Sequence, residues 1–516
     1  MAEKKLTDCP SNLKEAIDWI LRVTGKDGGS SGTKDLAAAV TGLLKEVESY
    51  TTELEKKLEQ IKEALKPGGT NGIITALGNG LKTFRDEIHI AGSGASNKNV
   101  YQELSNGDLK LVPKAGEIFL GCVPLCFYGL SYLYWRCSDG DVQNGGWKTH
   151  TLDGAYQNNG LHWFMIAAGY QKSQLSYKQG TDVVSEAMTE QKFKDLKTAL
   201  AKAQSAARTR ATKEDEARTK LGVGKSHTPG EPGTPIQANQ NPTYPEYLHE
   251  LCGKWCNKPS TFTPSNDSSL SALYYVSYLY FKGKQSALTN DPDFKPRPPS
   301  TIREMLYFLA ALPFSHSYDE FDKYITQHFK IIVGHPDSPI MSDAELMIPV
   351  ADSASVNTNN TLSAADLKDY LITTCHYSAT LLSVIQGNSG SENPDEPWLH
   401  GLYSNGMKFK YPSGSMLFHR LADYTYALQF QLYFLYTQCY STYTAGCGWN
   451  QCQYGSEINK TSNTAVPTHI CAGFKCGDQA SSCNHGRSSS SGNAISNCNH
   501  NKKGEGCGQG SNVSPL

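Results

Sequence analysis

The sequence has no excess of charge of one sign. Its 48 lysines and arginines are balanced by 50 aspartates and glutamates, which gives a formal net charge of −2 over 516 residues. The basic residues are interleaved with acidic ones and form no basic run. Because a nucleic-acid backbone is bound by a clustered excess of lysine and arginine, we expect no nucleic-acid partner.

The N-terminus lacks the apolar segment of a secretory signal. Its opening residues, MAEKKLTDCP, are hydrophilic, and by the usual rules such a chain stays in the cytosol. Cysteine usage indicates the opposite, because eight of the 15 cysteines lie between Cys439 and Cys507. That density is typical of a disulfide-stapled extracellular module. We give the cysteines more weight and expect an exported protein.

Catalytic signatures are missing as well. No G-x-S-x-G nucleophile elbow is present. The LGVGKS segment at 221–226 has Thr219 where a phosphate-binding loop needs its first glycine, and HELCG has Gly253 where a zinc-protease helix needs its second histidine. Cys375 and His376 are adjacent, so on a helix they point in different directions. We therefore predict no enzyme activity, no catalytic residue, no cofactor and no metal site.

Long apolar runs are scarce. The segment GEIFLGCVPLCFYGLSYLYW at 116–135 is about long enough to cross a membrane. However, Glu117 lies within it, and Pro124 would interrupt a helix near its middle. We therefore predict a buried core helix or a helical hairpin here instead of a transmembrane span.

Helical periodicity dominates what is present. Ser11 can cap a helix whose apolar residues follow at helical spacing, and Gly25 can end it. The stripe of apolar residues over 34–66 predicts one long, heptad-like helix. That helix can pack in an antiparallel bundle with helices at 11–24 and about 70–88, or in a coiled coil with another chain. We favour the bundle.

A second heptad-like helix is predicted over 186–220. Its narrow apolar seam consists of Phe193, Leu196, Leu200, Ala203 and Ala207. The small alanines permit close approach of a partner helix, so the seam can form a protruding two-stranded coil with the 34–66 helix or with another chain. The alternative is that this helix lies flat on the body of the protein.

The rest of the chain also favours helices. Aromatic-rich helices are predicted at about 269–284, 299–312, 318–331, 364–386 and 413–443. Polar intervals at 138–157, 335–362, 387–397 and 455–469 are predicted to be surface loops that tolerate sequence change. No convincing strand pattern lies between them.

The expected fold class is therefore mostly α. We expect a multi-helix bundle ectodomain with long coiled-coil-like helices and a disulfide-rich, loop-rich C-terminal module. The predicted regions are an N-terminal helical region at 1–100, an apolar helix pair with a protruding helix and a Pro/Gly-rich loop at 101–245, an aromatic-rich helical core at 246–445, and a cysteine-rich segment at 446–516.

Five cysteines upstream of the C-terminal segment are disulfide candidates. Cys122 and Cys126 form one C-x3-C pair, and Cys252 and Cys256 form another. A disulfide between positions i and i+4 is awkward in a regular helix. We therefore expect each cysteine to reach another element, with Cys137 and the Cys252 pair as candidate partners of the first pair.

The strongest chemical cluster is C-terminal. It comprises Cys439, Cys447, Cys452, Cys471, Cys476, Cys483, Cys498 and Cys507. Disulfides are the simplest interpretation, and each would add about 2–4 kcal/mol by restricting the unfolded chain. Zinc ligation with His485 and His500 is the alternative. The odd cysteine total makes Cys9 the natural leftover, either intermolecular or inert.

Three separated phrases carry a resemblance to a known family. They are SNLKEAIDWILRVTGKDGG at 11–29, PSTIREMLYFLAALPFSHSYDEFDKYI at 299–325 and GCGWNQCQYG at 446–455. In these phrases the chain closely resembles the variant erythrocyte surface antigens of babesial parasites. The matched phrases look structural, so no individual binding residue carries over.

The resemblance implies a function. Members of the family are displayed on the infected erythrocyte without a recognisable signal peptide, and the implied partners are an unknown host endothelial receptor, host antibodies and a second antigen subunit. The implied roles are adhesion to vascular endothelium and immune evasion by switching among variants. The family places its membrane anchor beyond Leu516, so this chain is expected to be an ectodomain. The alternative is an exported helical scaffold or decoy that binds no receptor.

Overall fold

The fold is known from a computed structural model, which describes residues 3–66, 72–90, 99–103, 113–138, 146–154, 159–220, 241–257, 269–332, 346–348, 360–362, 364–384 and 401–440. Helices dominate these residues, which confirms the mostly α fold class. They are α1 (Leu13–Val23), α2 (Thr33–Val47), α3 (Thr52–Leu65), α4 (Ile73–Ile88), α5 (Pro113–Ser138), α6 (Gly160–Ala167), α7 (Gly180–Asp182), α8 (Lys194–Lys220), α9 (Tyr244–Asn257), α10 (Ser269–Thr289), α11 (Ile302–Ala311), α12 (His316–Ile332), α13 (Ala364–Val384), α14 (Leu402–Gly406) and α15 (Gly414–Tyr440). Two short antiparallel strands, β1 (Leu346–Ile348) and β2 (Asn360–Leu362), pair with Met347 opposite Thr361.

The chain divides into two compact units. The first comprises Met1–Pro299 and Leu306–Leu417, and the second comprises Ser300–Met305 and Phe418–Leu516. In the first unit α5 is the central helix, and it packs against α1, α2, α10 and α13. Of the second unit, the structure describes residues 300–305 and the part of α15 that begins at Phe418. The four regions expected from the sequence stay a prediction.

The apolar run at 116–135 lies within α5 and forms the centre of the core. Its most apolar window passes the length and hydropathy requirements of a membrane span, yet 94% of that window is buried inside the protein. The helix runs through Pro124 without ending, so the hairpin alternative is wrong. A proline inside a helix costs about 3 kcal/mol. Burial of Val123, Leu125 and Phe127, each fully enclosed, contributes about 1.5–3 kcal/mol per side chain and outweighs that cost.

The N-terminal helix begins one residue later than the sequence suggested. Asn12, not Ser11, caps α1, because its side-chain oxygen accepts a hydrogen bond from the Glu15 amide at 2.9 Å. Ser11 instead donates its hydroxyl to the Glu15 carboxylate at 2.6 Å. Both contacts satisfy polar groups at the helix start. The expected end is confirmed, since Gly25 follows in a left-handed conformation with φ of 67°.

The single long helix predicted over 34–66 is wrong. The chain ends α2 at Val47, makes a short 3-10 turn over 48–50, and begins α3 after Thr51, whose backbone is extended. Helix α10 passes close to this break, because a Cβ atom added at Gly283 would lie 2.7 Å from the Val47 Cβ. The bend lets both halves of the stripe bury within the chain. These buried residues are Leu36, Val40, Leu43, Leu54, Leu58 and Ile61.

The seam of the second heptad-like helix faces this chain's own body. Its five predicted seam residues are all buried in the structure, and α8 packs along α9. Arg210 of α8 also forms an ion pair with Glu246 of α9. The partner of the seam is therefore α9 of the same chain. It is neither of the two expected partners, the 34–66 helix and a second chain.

Part of the first predicted surface loop is buried instead. Trp147 is almost fully enclosed, with its ring centre 5.6 Å from that of Phe164 and 5.7 Å from that of Tyr132. The Arg136 guanidinium lies over the Trp147 ring at 4.9 Å, a cation–π contact. The backbone amide of Trp147 also donates to the Arg136 carbonyl at 2.7 Å. Trp147 therefore holds this segment against α5 and α6, although the polar composition of 138–157 predicted an exposed loop.

Candidate functional site

An exposed aromatic face on α15 is the most prominent candidate surface among the described residues. Tyr426, Phe430 and Tyr433 lie four and then three residues apart, so they share one side of the helix. Their side chains are 65%, 56% and 68% exposed. The rings of Tyr426 and Phe430 are 4.6 Å apart between centres. We call these three residues the α15 aromatic face.

The sequence of α15 separates two faces. Leu417, Leu421 and Leu428 recur at helical spacing and are buried, while the α15 aromatic face lies on the opposite side at about 100° per residue. No charged residue occurs between Tyr424 and Tyr440. The leucines therefore form the buried side of α15. The uncharged aromatic side faces solvent and is available to a partner. Tyrosine is among the residues that most often dominate binding energy in protein interfaces.

Sequence reasoning missed this face. The aromatic richness of 413–443 was interpreted as part of a helical core, which is the usual meaning of such a composition. The available signal was the spacing: the leucines and the exposed aromatics fall on opposite sides of one helix, with Gln429 and Gln431 between them. Other exposed aromatic residues, such as Trp163, Tyr177 and Tyr370, lie in the first unit.

A buried cluster of tyrosines and one histidine lies between α5, α10 and α13. The Tyr128 hydroxyl is 2.7 Å from the Tyr274 hydroxyl and 2.6 Å from His376 Nδ1. Tyr403 donates its hydroxyl to Tyr128 at 3.4 Å. Burial lowers the pKa of His376 to about 4, helped by the nearby His249. At neutral pH the imidazole is therefore uncharged.

This cluster is structural, because its members are closed off from solvent. Burial also raises the pKa of Tyr128 well above its usual value, with neighbouring Tyr274 and Tyr403 adding to the effect. Neutral hydroxyl and imidazole groups satisfy one another inside the core, where an unpaired polar group would cost about 1–3 kcal/mol. His376 Nδ1 is occupied by Tyr128, which supports the interpretation that His376 does not act as a base for the adjacent Cys375.

One partner that the sequence suggested for the first cysteine pair, Cys137, does not fit the geometry of α5. Cys122, Cys126 and Cys137 all lie on α5 and are buried free thiols. Cys126 and Cys137 are eleven residues apart on one helix, a separation of about 16 Å at 1.5 Å per residue. A disulfide needs Cα atoms within about 7 Å. Cys137 therefore cannot bridge to Cys126 or Cys122, because all three cysteines lie on one continuous helix.

These three thiols give the first testable prediction. Burial raises the pKa of Cys126 to about 12 and raises those of Cys122 and Cys137 as well. Because the thiolate is the reactive form, we expect none of the three to react with N-ethylmaleimide in the native protein. All three should react in concentrated urea without any reductant. Peptide mass spectrometry measures both states, and labelling that requires a reductant would contradict the free thiols.

The remaining disulfide candidates stay predictions. Cys252 lies buried on α9, close enough to Tyr128 and Tyr244 to affect their ionisation. Cys256 and Cys439 lie on α9 and α15, and their side chains are outside the described part of the structure. The other C-terminal candidates, Cys447, Cys452, Cys471, Cys476, Cys483, Cys498 and Cys507, are outside the described residues, as are His485 and His500 of the zinc alternative.

Across the described part of the chain, no group of three or more His, Cys, Asp or Glu side chains is placed to hold a metal ion. The LGVGKS segment lies outside the described residues. So do most positions of the polar intervals at 335–362, 387–397 and 455–469.

One comparison with known proteins gives a match. Residues 83–329 match the family model described as variant erythrocyte surface antigen-1. The match spans just under half of the chain, includes α5 to α11 and contains the phrase at 299–325, so the family resemblance is confirmed there. The family is one of variant surface antigens of the erythrocyte. No curated protein and no solved structure gives a significant match.

Proposed function

We propose, from the family match over residues 83–329, that the chain is an antigenically variant protein displayed on the surface of infected erythrocytes. Its proposed roles are adhesion to host endothelium and evasion of host antibodies by switching among variants. The match to variant erythrocyte surface antigen-1 is the observation that carries this proposal. Export to the surface of the host cell belongs to the same proposal. Helix α5 is not proposed as a membrane anchor, because 94% of its most apolar stretch is buried inside the protein.

The helical core suits a protein whose surface must vary. Truncation of a buried core side chain costs about 2–5 kcal/mol, whereas most surface substitutions change stability by less than about 0.5 kcal/mol. Central residues such as Phe119, Phe127 and Leu130 of α5 are fully enclosed. A core of this kind can hold its shape while exposed positions change sequence under antibody pressure.

Within the described residues, we assign receptor contact to the α15 aromatic face. Three exposed aromatic side chains on one helix offer a large apolar contact area at a low cost in side-chain entropy. The proposed occupant is a host endothelial receptor with a complementary apolar patch. Because Tyr424–Tyr440 carries no charge, adhesion through this face should depend weakly on salt.

The test uses beads coated with the full-length chain and flowed over an endothelial cell layer. We expect the triple variant Tyr426→Ser, Phe430→Ser and Tyr433→Ser to reduce bead retention at least about tenfold, since each lost hot-spot aromatic costs about 1–2 kcal/mol or more. All three side chains are largely exposed, so the fold should be unaffected. Urea unfolding of the variant checks that point.

The matched control replaces exposed aromatics elsewhere, with Tyr177→Ser and Tyr370→Ser in one variant. Retention of this control should equal that of the wild type. If the wild type itself is retained no better than uncoated beads, the chain is a scaffold or decoy and adhesion is refuted. A triple variant that keeps adhesion but loses self-association or binding to a second antigen subunit would assign the α15 aromatic face to assembly and refute receptor contact.

A further inference from the structure

A cavity of about 380 Å³ opens in the first unit. Its wall is formed by the first turns of α5, the C-terminal half of α10 and the segment around α14. The volume lies within the range of about 300–1,000 Å³ that small-molecule sites occupy. The proposed adhesion through the α15 aromatic face does not involve this cavity.

The interior of the cavity is apolar. Ile118 of α5, Phe281 of α10 and Met407 beside α14 line it and are buried. Leu288 and Phe294 add half-buried apolar surface to the lining. A pocket with such walls gains free energy by taking an apolar body out of water, at roughly 25 cal/mol per Å² of apolar surface buried.

The rim of the cavity is basic. Lys114, Lys284 and Lys408 line it together with a single carboxylate, that of Glu117. Three positive charges and one negative charge leave a local excess of two positive charges. Among the residues that the structure describes, none of these three lysine side chains forms a hydrogen bond or an ion pair. An excess of positive charge around one cavity favours the binding of an anion there.

The helix that supplies one of these lysines adds to the positive potential. Lys114 lies in the first turn of α5, a helix of 26 residues. The N-terminal end of a helix carries a partial positive charge, so a lysine there is unfavourable unless an anion compensates it. The cavity thus combines an apolar interior with a positive rim at a helix start.

We propose that this cavity binds an amphipathic anion, a compact acidic head group on a single apolar chain. The head group, a carboxylate or a phosphate, lies among Lys114, Lys284 and Lys408. The chain extends along Ile118, Phe281 and Met407. A free fatty acid and a lysophospholipid-like phosphate share this chemistry, and the experiment separates them.

The binding test uses isothermal titration calorimetry of the full-length protein with decanoate, decyl phosphate and decyltrimethylammonium, all below their micelle concentrations. The two anions should bind and the cation should not. Stronger binding of decanoate would assign a fatty acid, and stronger binding of decyl phosphate would assign a phosphate head group. Shortening decanoate to octanoate should weaken binding by more than about tenfold, because each buried methylene contributes roughly fourfold. Equal binding of anion and cation would overturn the proposal.

Variants locate the site. We expect Lys284→Glu with Lys408→Glu to weaken decanoate binding at least about tenfold through charge reversal at the rim. The matched control Lys34→Glu reverses the charge of an exposed lysine on α2, outside the cavity, and should leave the affinity unchanged within about twofold. Ser404→Trp places a large ring in the cavity from an exposed position and should abolish binding. If the control weakens binding as much as the double variant, the site is not this cavity.

Cys9 supplies an independent readout, because it also lines the cavity. Burial raises the pKa of its thiol, so alkylation is followed at mildly alkaline pH by mass spectrometry of the Cys9 peptide. Decanoate should slow alkylation of Cys9 at least about tenfold when the site is saturated. Decyltrimethylammonium should not slow it. Unchanged alkylation under saturating decanoate would show that the ligand binds elsewhere.

Discussion

Replacing Phe127 by alanine is expected to lower the free energy of unfolding by about 3–5 kcal/mol, the usual cost of truncating an enclosed phenylalanine. Phe127 lies at the middle of α5 and is fully buried. Its ring stacks on that of Tyr274 of α10 with centres 4.1 Å apart and planes 11° apart. The Tyr128 ring meets it edge-on at 5.3 Å. Loss of the ring therefore opens a cavity where α5 and α10 meet.

Urea unfolding followed by circular dichroism measures this loss. The variant Phe127→Leu keeps most of the apolar volume and should cost clearly less than Phe127→Ala. Tyr177→Ala is the matched surface control, because that ring is exposed, and it should change stability by less than about 0.5 kcal/mol. An equal effect of Phe127→Ala and Tyr177→Ala would show that α5 is not the centre of the core.

Helix positions were predicted well where the apolar period is long and uninterrupted. The predicted helices at 269–284, 318–331 and 364–386 agree with α10, α12 and α13 to within a few residues. Each carries enough apolar residues at helical spacing to define both its existence and its buried side. In these segments the tertiary contacts and the local sequence both favour a helix.

The break between α2 and α3 could not be predicted from local sequence. Residues 48–51 read ESYT and contain neither glycine nor proline, so the helical stripe appears continuous. At this break Val47 packs closely against Gly283 of α10, a contact between residues more than 200 positions apart that no local pattern reveals. Trp147 was missed for a similar reason, since its packing partners Phe164 and Tyr132 lie on other elements.

The cavity and the α15 aromatic face differ in how far the sequence could reveal them. The cavity depends on α5, α10 and the α14 segment meeting in space, and no spacing rule brings Lys114, Lys284 and Lys408 together. The α15 aromatic face was different, because the separation of leucines from aromatics was visible in the sequence. The aromatic composition of 413–443 alone suggested a buried helix. The positions of the aromatic rings around the helix, opposite the leucines, indicate that these rings are exposed.

Acidification is expected to destabilise the first unit through His376. The pKa of this buried imidazole is lowered to about 4 in the folded state, while an unfolded histidine titrates near 6.5. Between these values the unfolded chain binds a proton that the folded chain does not. Stability is therefore fully present above about pH 6.5 and falls as the pH drops towards 4. At 1.36 kcal/mol per pH unit the loss is about 3 kcal/mol.

The measurement compares urea unfolding of the wild type and His376→Gln across that pH range. Burial also lowers the pKa values of His89 and His150, so the wild-type curve contains more than one histidine, and the difference between the two proteins isolates His376. The variant should lose about 3 kcal/mol less than the wild type between pH 6.5 and 4, because glutamine stays uncharged. His316→Gln, at an exposed position, should leave the pH dependence unchanged within about 0.5 kcal/mol. Parallel curves for the wild type and His376→Gln would mean that His376 is protonated as readily in the folded protein as in the unfolded chain, which its enclosure beside Tyr128 makes unfavourable.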